Sequence, residues 1–128
     1  MSYDLMVFDP DSAPRNRKAF MAWFEKQAEW SEKHGYDDPK VSTPALRAWF
    51  LEMIKKYPAM NGPYATEEDN DDSEVTDYSV GKIVIYGAFA WSVADAAHKH
   101  MTKLAAKHAV GFFDVSSDDG GVWLPDEK

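Results

Sequence analysis

The chain has 128 residues, 45% of them hydrophobic, and its 14 basic and 22 acidic residues give a formal net charge of -8. This length suits one domain with a single core. The negative charge repels nucleic-acid phosphates and anionic lipids, so we expect neither nucleic acid nor a membrane as a partner. The sequence contains no cysteine, which excludes disulfides, thiolate metal sites and cysteine nucleophiles.

The chain begins with a predicted strand and a predicted helix. The strand covers residues 3–8, and the unbroken apolar run at 5–8 is typical of a strand that is covered on both faces. The helix is predicted from about Pro14 to His34, with Ser12 as its N-cap. Aromatic residues recur along this helix with roughly helical spacing, at Phe20, Trp23, Phe24 and Trp30.

The second predicted helix has the clearest pattern in the sequence. Thr43 and Pro44 are typical of an N-cap and a first helical residue, and Tyr57-Pro58 marks the end. Apolar residues between them follow a 3.6-residue period and share one stripe, which consists of Leu46, Trp49, Phe50, Met53, Ile54 and Tyr57.

The second half of the chain is predicted to form two hairpins and a helix. Strands at Val75–Val80 and Lys82–Phe89 meet at Gly81, and the second of them is expected at the centre of the sheet because it is apolar on both faces. A helix at about Ser92–Ala109 follows, with Ser92 and Asp95 in a capping-box pattern. The last predicted strands are Val110–Val115 and Gly121–Leu124.

The predicted order is strand, helix, helix, strand, strand, helix, strand, strand. Without the second helix and the last strand, this is the split pattern of ferredoxin-like folds. We therefore expect an α+β fold, with three helices on a mainly antiparallel sheet of about five strands. Residues 1–128 are expected to form a single domain.

An acidic loop at about residues 61–74 separates the two halves. Seven carboxylates lie within the eleven positions 67–77, without an intervening basic residue, and they are Glu67, Glu68, Asp69, Asp71, Asp72, Glu74 and Asp77. A calcium loop that began at Asp69 would need a glycine at Glu74 and a glutamate at Val80, so the spacing argues against one. We expect either a solvated loop or a docking surface for a basic protein, and no metal.

Catalytic motifs are missing from the sequence. No two of the four histidines are spaced as a pair of metal ligands on one helix face, and His98 or His100 is the choice for a catalytic histidine because both lie inside a predicted helix. His34 and His108 lie near predicted helix ends, where a structural role is favoured. No serine-nucleophile elbow, phosphate loop or dinucleotide fingerprint occurs, so we expect no cofactor.

Three segments of the chain resemble a group of small, acidic, uncharacterised bacterial proteins. The segments are Tyr3-Asp4-Leu5, residues 58–63 (PAMNGP), and the pair 111–116 (GFFDVS) and 122–125 (VWLP). The resemblance covers most of the chain and brings no catalytic residues with it. Proteins of this size and acidity include immunity partners of bacterial toxin domains, so the resemblance favours a binding role.

The sequence therefore favours a non-enzymatic cytoplasmic binding protein of immunity or antagonist type. Its acidic loop would engage a basic protein partner through Tyr64, Glu67, Glu68, Asp69, Asp71, Asp72 and Glu74. The alternative is a small enzyme or ligand-binding domain with a pocket between sheet and helices, to which Asp4, Tyr86, His98 or Asp114 would contribute polar groups. A third hypothesis is a homodimer in which the last hairpin, residues 110–124, extends the sheet between two copies.

Overall fold

The computed structural model describes residues 3–14, 16–27, 29, 38–60, 62–64, 75–116 and 121–124. Its helices and strands follow the predicted order, so the α+β fold class is confirmed. They are β1 (Tyr3–Phe8), α1 (Arg17–Gln27), α2 (Pro44–Met53), β2 (Asp77–Val80), β3 (Val84–Phe89), α3 (Ala94–His108), β4 (Gly111–Phe113) and β5 (Val122–Trp123). Short 3-10 turns at Pro39–Val41 and Trp91–Val93 precede α2 and α3.

The strands form one sheet in the order β2-β3-β1-β4-β5, and every neighbouring pair is antiparallel. The centre is β1, so the prediction that β3 is central is wrong. Both strands have a neighbour on each side, and an apolar sequence alone does not distinguish them. β2 runs parallel to β1 with β3 between them, and β4 runs parallel to β3 with β1 between them. These two split crossovers form the predicted ferredoxin-like pattern, with β5 added at one edge.

Helices cover both faces of the sheet. On one face, α2 and α3 pack on Leu5 and Val7 of β1. On the other face, α1 packs on Met6 and Phe8. Residues 5–8 are each 1% exposed or less, which confirms that β1 is covered on both faces. Since α2 shares a face with α3, the helix that is added to the ferredoxin-like pattern is α1 rather than the second helix.

The helix α2 forms as its sequence pattern predicts. Thr43 Oγ1 accepts a hydrogen bond from the Leu46 amide at 3.4 Å and so caps the first turn. The Trp49 indole donates to the Met101 carbonyl oxygen at 3.5 Å, which links α2 to α3 inside the core. The helix ends at Met53, earlier than predicted, and turns carry the chain on from there. Five of the six predicted stripe residues are buried, and these are Leu46, Trp49, Phe50, Met53 and Tyr57.

The two serines that are predicted as N-caps do not cap a helix. The Ser12 hydroxyl donates to Asp9 Oδ2 at 2.8 Å, and Asn16 caps α1 instead, because its Oδ1 accepts from the Ala19 amide at 3.1 Å. Ser92 lies inside a 3-10 turn, and α3 begins at Ala94 without a side-chain cap. In both places a turn comes between the serine and the helix, so the helix begins later than its apolar pattern suggests.

The predicted boundaries of α1 and β3 are longer than the observed elements. α1 begins three residues after Pro14, and its described part ends at Gln27. Residues 30–34, over which the sequence predicts continued helix, lie outside the described residues. The predicted turn at Gly81 is confirmed, since the Gly81 amide donates to the Val84 carbonyl oxygen at 2.8 Å, and β3 begins at Val84 rather than Lys82.

Aromatic rings fill the layer between α1 and the sheet. The Phe20 ring lies 5.2 Å from the Phe8 ring and 5.1 Å from the Phe113 ring, measured between centroids. Gly111 of β4 pairs with Phe8 of β1, and a side chain at Gly111 would overlap the Phe8 ring. The absence of a side chain at Gly111 therefore lets the Phe8 ring lie directly against β4.

Gly111→Ala is expected to destabilise the protein by about 1–3 kcal/mol, because the Phe8 ring is fully buried and has no room to move away. Gly121→Ala is the matched control, since an added methyl group there meets no atom within 4 Å. Urea unfolding of both variants measures the difference. Equal free energies of unfolding for the two variants would contradict this packing.

One carboxylate connects α2 to the end of α3. Glu52 Oε2 accepts from Lys107 Nζ at 3.0 Å, and Glu52 Oε1 lies 2.9 Å from His108 Nε2. The hydrogen bond from Lys107, followed by that from His108, lowers the pKa of the Glu52 carboxyl below its ordinary value. His108 is the last residue of α3, and this contact confirms its predicted structural role.

This lowered pKa predicts an acid-dependent contribution to stability. The ionised Glu52 stabilises the fold above its unfolded-state pKa of about 4.5, and this contribution is lost as the pH falls through the lower, folded-state value. Glu52→Gln should therefore reduce stability at pH 7 and have a smaller effect at pH 3, as measured by urea unfolding at each pH. Glu25→Gln, which removes an exposed carboxylate from α1, is the control. A Glu52→Gln effect of the same size at both pH values would exclude the electrostatic explanation.

Candidate functional site

A cleft of about 410 Å³ lies between α3 and the β4–β5 end of the sheet. One wall is a stripe of α3, in which His98, Thr102 and Ala106 are four residues apart and so share a helix face. The sheet and the segment after β4 supply the other lining residues, which are Phe112, Asp114, Gly121, Val122 and Trp123. We call this site the cleft.

The cleft follows from the widths of the two layers. Neighbouring strands lie about 4.8 Å apart and packed helices about 8–10 Å apart, so two helices cover roughly four strands. The sheet has five strands. Within the described residues, no further helix follows α3 on this face to cover β5. Phe112 is 3% exposed and its ring lies 5.1 Å from the His98 ring, so it forms the base of the cleft against α3. Trp123, its cross-strand partner on β5, is partly buried and extends this floor beyond the helix.

Three polar side chains meet beside this floor. The Tyr3 hydroxyl donates to the Asp114 carboxylate, with distances of 3.1 Å to Oδ1 and 3.2 Å to Oδ2. The His98 Nε2 atom lies 3.3 Å from Asp114 Oδ2. The side chain of Asp114 is 13% exposed, whereas that of His98 is 40% exposed. We call Tyr3, Asp114 and His98 the polar cluster.

The backbone around Asp114 is held in place by β1 and by the segment before β5. The Asp114 amide donates to the Gly121 carbonyl oxygen at 2.9 Å. The Ser116 hydroxyl accepts from the Asp4 amide at 2.7 Å, and the Ser116 amide donates to the Asp4 carbonyl oxygen at 3.2 Å. These bonds continue the pairing of β1 with the chain beyond β4, so that Tyr3 and Asp114 lie side by side.

A second, smaller pocket adjoins the cleft at the polar cluster. Its volume is about 310 Å³, and its lining residues are Tyr3, Asp95, His98, Lys99 and Asp114. We call it the outer pocket. The Tyr3 ring packs edge-to-face on the Trp91 ring with 4.9 Å between centroids, and Trp91 is 53% exposed. The two pockets together combine an apolar floor with a polar, partly aromatic entrance.

The four residues of the alternative hypothesis do not meet in one cleft. His98 and Asp114 are in contact, but Asp4 and Tyr86 lie on the other face of the sheet, where the Tyr86 hydroxyl donates to the Asp4 carboxylate. Burial and, next, the hydrogen bond with Asp4 raise the pKa of Tyr86 above its ordinary value, so Tyr86 remains a neutral donor. Asp4 and Tyr86 therefore do not contribute to the cleft, because Asp4 and Tyr3 are successive strand residues and point to opposite faces, whereas His98 and Asp114 do line it.

His98 and His100 face different directions, because they are two residues apart on α3. His98 lines the cleft, whereas the His100 ring faces α2 and lies 5.8 Å from the Tyr57 ring. Burial, followed by the charges of Lys56 and Lys103, lowers the pKa of His100 and favours its neutral form. His34 lies outside the described residues. Of the two predicted catalytic candidates, His98 alone lines the cleft.

Of the predicted partner-binding residues, the structure describes only Tyr64. Tyr64 is 47% exposed, and its ring lies 6.3 Å from that of Phe50 on α2. The carboxylates Glu67, Glu68, Asp69, Asp71, Asp72 and Glu74 lie outside the described residues. Among the residues that are described, no three potential metal ligands lie close enough together to hold an ion.

Sequence reasoning missed several residues of the site. Tyr3 was assigned only to a strand, and Thr102 and Ala106 had no assigned role. A signal for the last two exists, because they continue a helical stripe from His98 that lies beside the apolar stripe of Ala97, Met101 and Leu104. No sequence signal brings Tyr3 to Asp114, since their contact depends on the register of β1 against β4.

The geometry allows hydrogen bonding and proton transfer at His98 more readily than nucleophilic attack. A carboxylate beside an imidazole fixes the orientation of the ring and leaves the second ring nitrogen to accept or donate a proton. The Thr102 hydroxyl, which belongs to the cleft wall, donates to the Lys99 carbonyl oxygen at 3.0 Å. The lining residues that the structure describes therefore supply groups that orient a ligand, but no activated nucleophile.

Comparisons with known proteins identify no relative. No protein-family model, curated protein or solved structure matches the chain. The resemblance to small acidic bacterial proteins of toxin-immunity type stays a prediction. Over the described residues, no helix is both long enough and apolar enough to cross a lipid bilayer.

Proposed function

We propose that this chain is a non-enzymatic ligand-binding domain whose site is the cleft. The observation that carries the proposal is the position of the polar cluster directly beside an apolar floor. Ligand sites in proteins are typically apolar cavities with a few fixed polar groups that determine orientation. The Tyr3, Asp114 and His98 contacts provide such fixed groups, because each is held by another member of the cluster.

The size of the cleft supports a small molecule as its occupant. Its volume of about 410 Å³ lies within the range of about 300–1,000 Å³ that is usual for ligand pockets. The floor offers the partly buried ring of Trp123 beside the ring of Phe112, and aromatic surfaces of this kind bind flat apolar groups. Binding rather than nucleophilic catalysis is proposed because the described lining residues orient a ligand without offering an activated nucleophile.

Filling the cleft should abolish binding. Ala106 lies on the exposed side of α3 and lines the cleft, so Ala106→Phe places a ring in the cleft without disturbing the core. Ala96→Phe is the matched control, because Ala96 is exposed on the same helix and does not line the cleft. Protein-detected NMR with indole, phenol and benzyl alcohol measures the amide shifts of each variant.

We expect the unmodified chain and Ala96→Phe to show shifts confined to residues 98–106 and 121–124. We expect Ala106→Phe to weaken binding at least about tenfold, because an aromatic ring occupies the site. Proposed binding in the cleft fails if none of the three compounds perturbs these amides at millimolar concentration, or if Ala106→Phe leaves the shifts unchanged.

A second candidate function is the engagement of a basic protein by the acidic loop, in the manner of an immunity or antagonist protein. The observation in its favour is the exposure of two large apolar side chains beside the loop, Met60 at 57% and Tyr64 at 47%. Exposed aromatic side chains next to concentrated charge suit a docking surface, since the charge accelerates encounter and the ring anchors the complex.

Charge neutralisation tests this second function. A variant with Asn or Gln at Glu67, Glu68, Asp69, Asp71 and Asp72 should associate with a lysine-rich peptide about tenfold more slowly at low salt, as measured by stopped flow. The control removes four exposed carboxylates that lie outside the acidic run, at Asp11, Glu25, Glu29 and Asp95. Equal rates for the two variants would show that net charge alone acts, and would exclude the loop as a specific docking surface.

A further inference from the structure

The carboxylate of Asp114 has capacity for one more donor. A carboxylate offers about four acceptor positions. Within the described residues, Tyr3 and His98 are its two side-chain partners, and Asp114 lies between the cleft and the outer pocket and lines both. A carboxylate that is only 13% exposed gains little hydration, so a donor from a ligand in the cleft would be bound strongly.

The charges around the outer pocket favour a cation. Two carboxylates, Asp95 and Asp114, line this pocket together with a single lysine, Lys99. The chain as a whole carries a formal charge of -8, which adds a long-range attraction for positive ligands. His98 also lines this pocket, and while its ring is neutral the pocket keeps a net negative charge, because one lysine faces two carboxylates.

Aromatic surfaces at the same place also favour a cation. The Tyr3 ring lines the outer pocket and is supported edge-to-face by the half-exposed ring of Trp91. The faces of such rings attract ammonium groups through their quadrupole. The Tyr3 side chain thus presents a ring to the pocket while its hydroxyl group holds the Asp114 carboxylate in position.

The floor of the cleft determines the rest of the ligand. Phe112, Val122 and Trp123 offer apolar surface at a short distance from Asp114, since all of them line one cavity with it. On the basis of the proposed ligand-binding function, we infer that the ligand is a primary amine on a flat apolar body, with its ammonium group at Asp114 and its body on the floor of the cleft. An arylalkylamine is the simplest compound of this class.

Three probes of similar size test this inference. They are 2-phenylethylamine, 2-phenylethanol and phenylacetate, which carry the same ring with a positive, neutral or negative end. The dissociation constant from NMR titration at pH 7 should be about tenfold lower for the amine than for the alcohol. The dissociation constant for the acid should be higher than that for the alcohol. Asp114→Asn should weaken binding of the amine more than binding of the alcohol, so that the preference for the amine is lost.

Two further variants keep the test independent of any effect of Asp114→Asn on folding. Asp95→Asn should weaken amine binding about twofold to threefold, because this carboxylate is exposed and its charge is screened. Asp77→Asn removes an equal charge from the opposite edge of the sheet and should have no effect. Equal or tighter binding of the alcohol or the acid overturns the inference while the ligand-binding function stands. If none of the three probes binds although indole, phenol or benzyl alcohol does, the inference fails and the ligand-binding function stands; if no compound of either set binds, both fail.

Discussion

The burial of β1 on both faces is the constraint on which the other layers depend. Residues 5–8 are almost completely excluded from solvent, so each face of the sheet must carry its own helical layer. α1 covers one face, and α2 and α3 cover the other. Tyr3 is the first residue of this central strand, and its hydroxyl reaches Asp114 after β4. The position of β1 therefore makes Tyr3 part of the polar cluster.

The candidate site results from the same layer arrangement rather than from an addition to it. Two helices cover about four strands, and the fifth strand extends beyond them. Phe112 and Asp114, which are alternate residues on β4 and its continuation, and Trp123 on β5 point to the same side of the sheet, and Trp123 lies on the strand that extends beyond the helices. The chemistry of the site is therefore fixed by strand register.

Local sequence patterns predicted most of the fold. The apolar stripe of α2, the continuous apolar run of β1 and the turn at Gly81 each depend on neighbours within one element, so they are visible in the sequence. The position of β3 and the start of α3 were predicted wrongly, because strand order and the 3-10 turn at Trp91–Val93 depend on packing between elements. His98 and Asp114 were identified as polar groups of a pocket, whereas their contact with Tyr3 spans 111 residues and has no local signal.

The short fifth strand also affects the stability of the cleft. Among the described residues, β5 consists of two residues that pair with β4 alone, so it can open at a lower free energy than the central strands. Trp123 belongs to this strand and to the floor of the cleft. Under the proposed ligand-binding function, closure of the edge and occupancy of the cleft would be linked equilibria. A ligand would protect the amide hydrogens of β5 from exchange with solvent, and a substitution that loosens β5 would lower affinity without contacting the ligand.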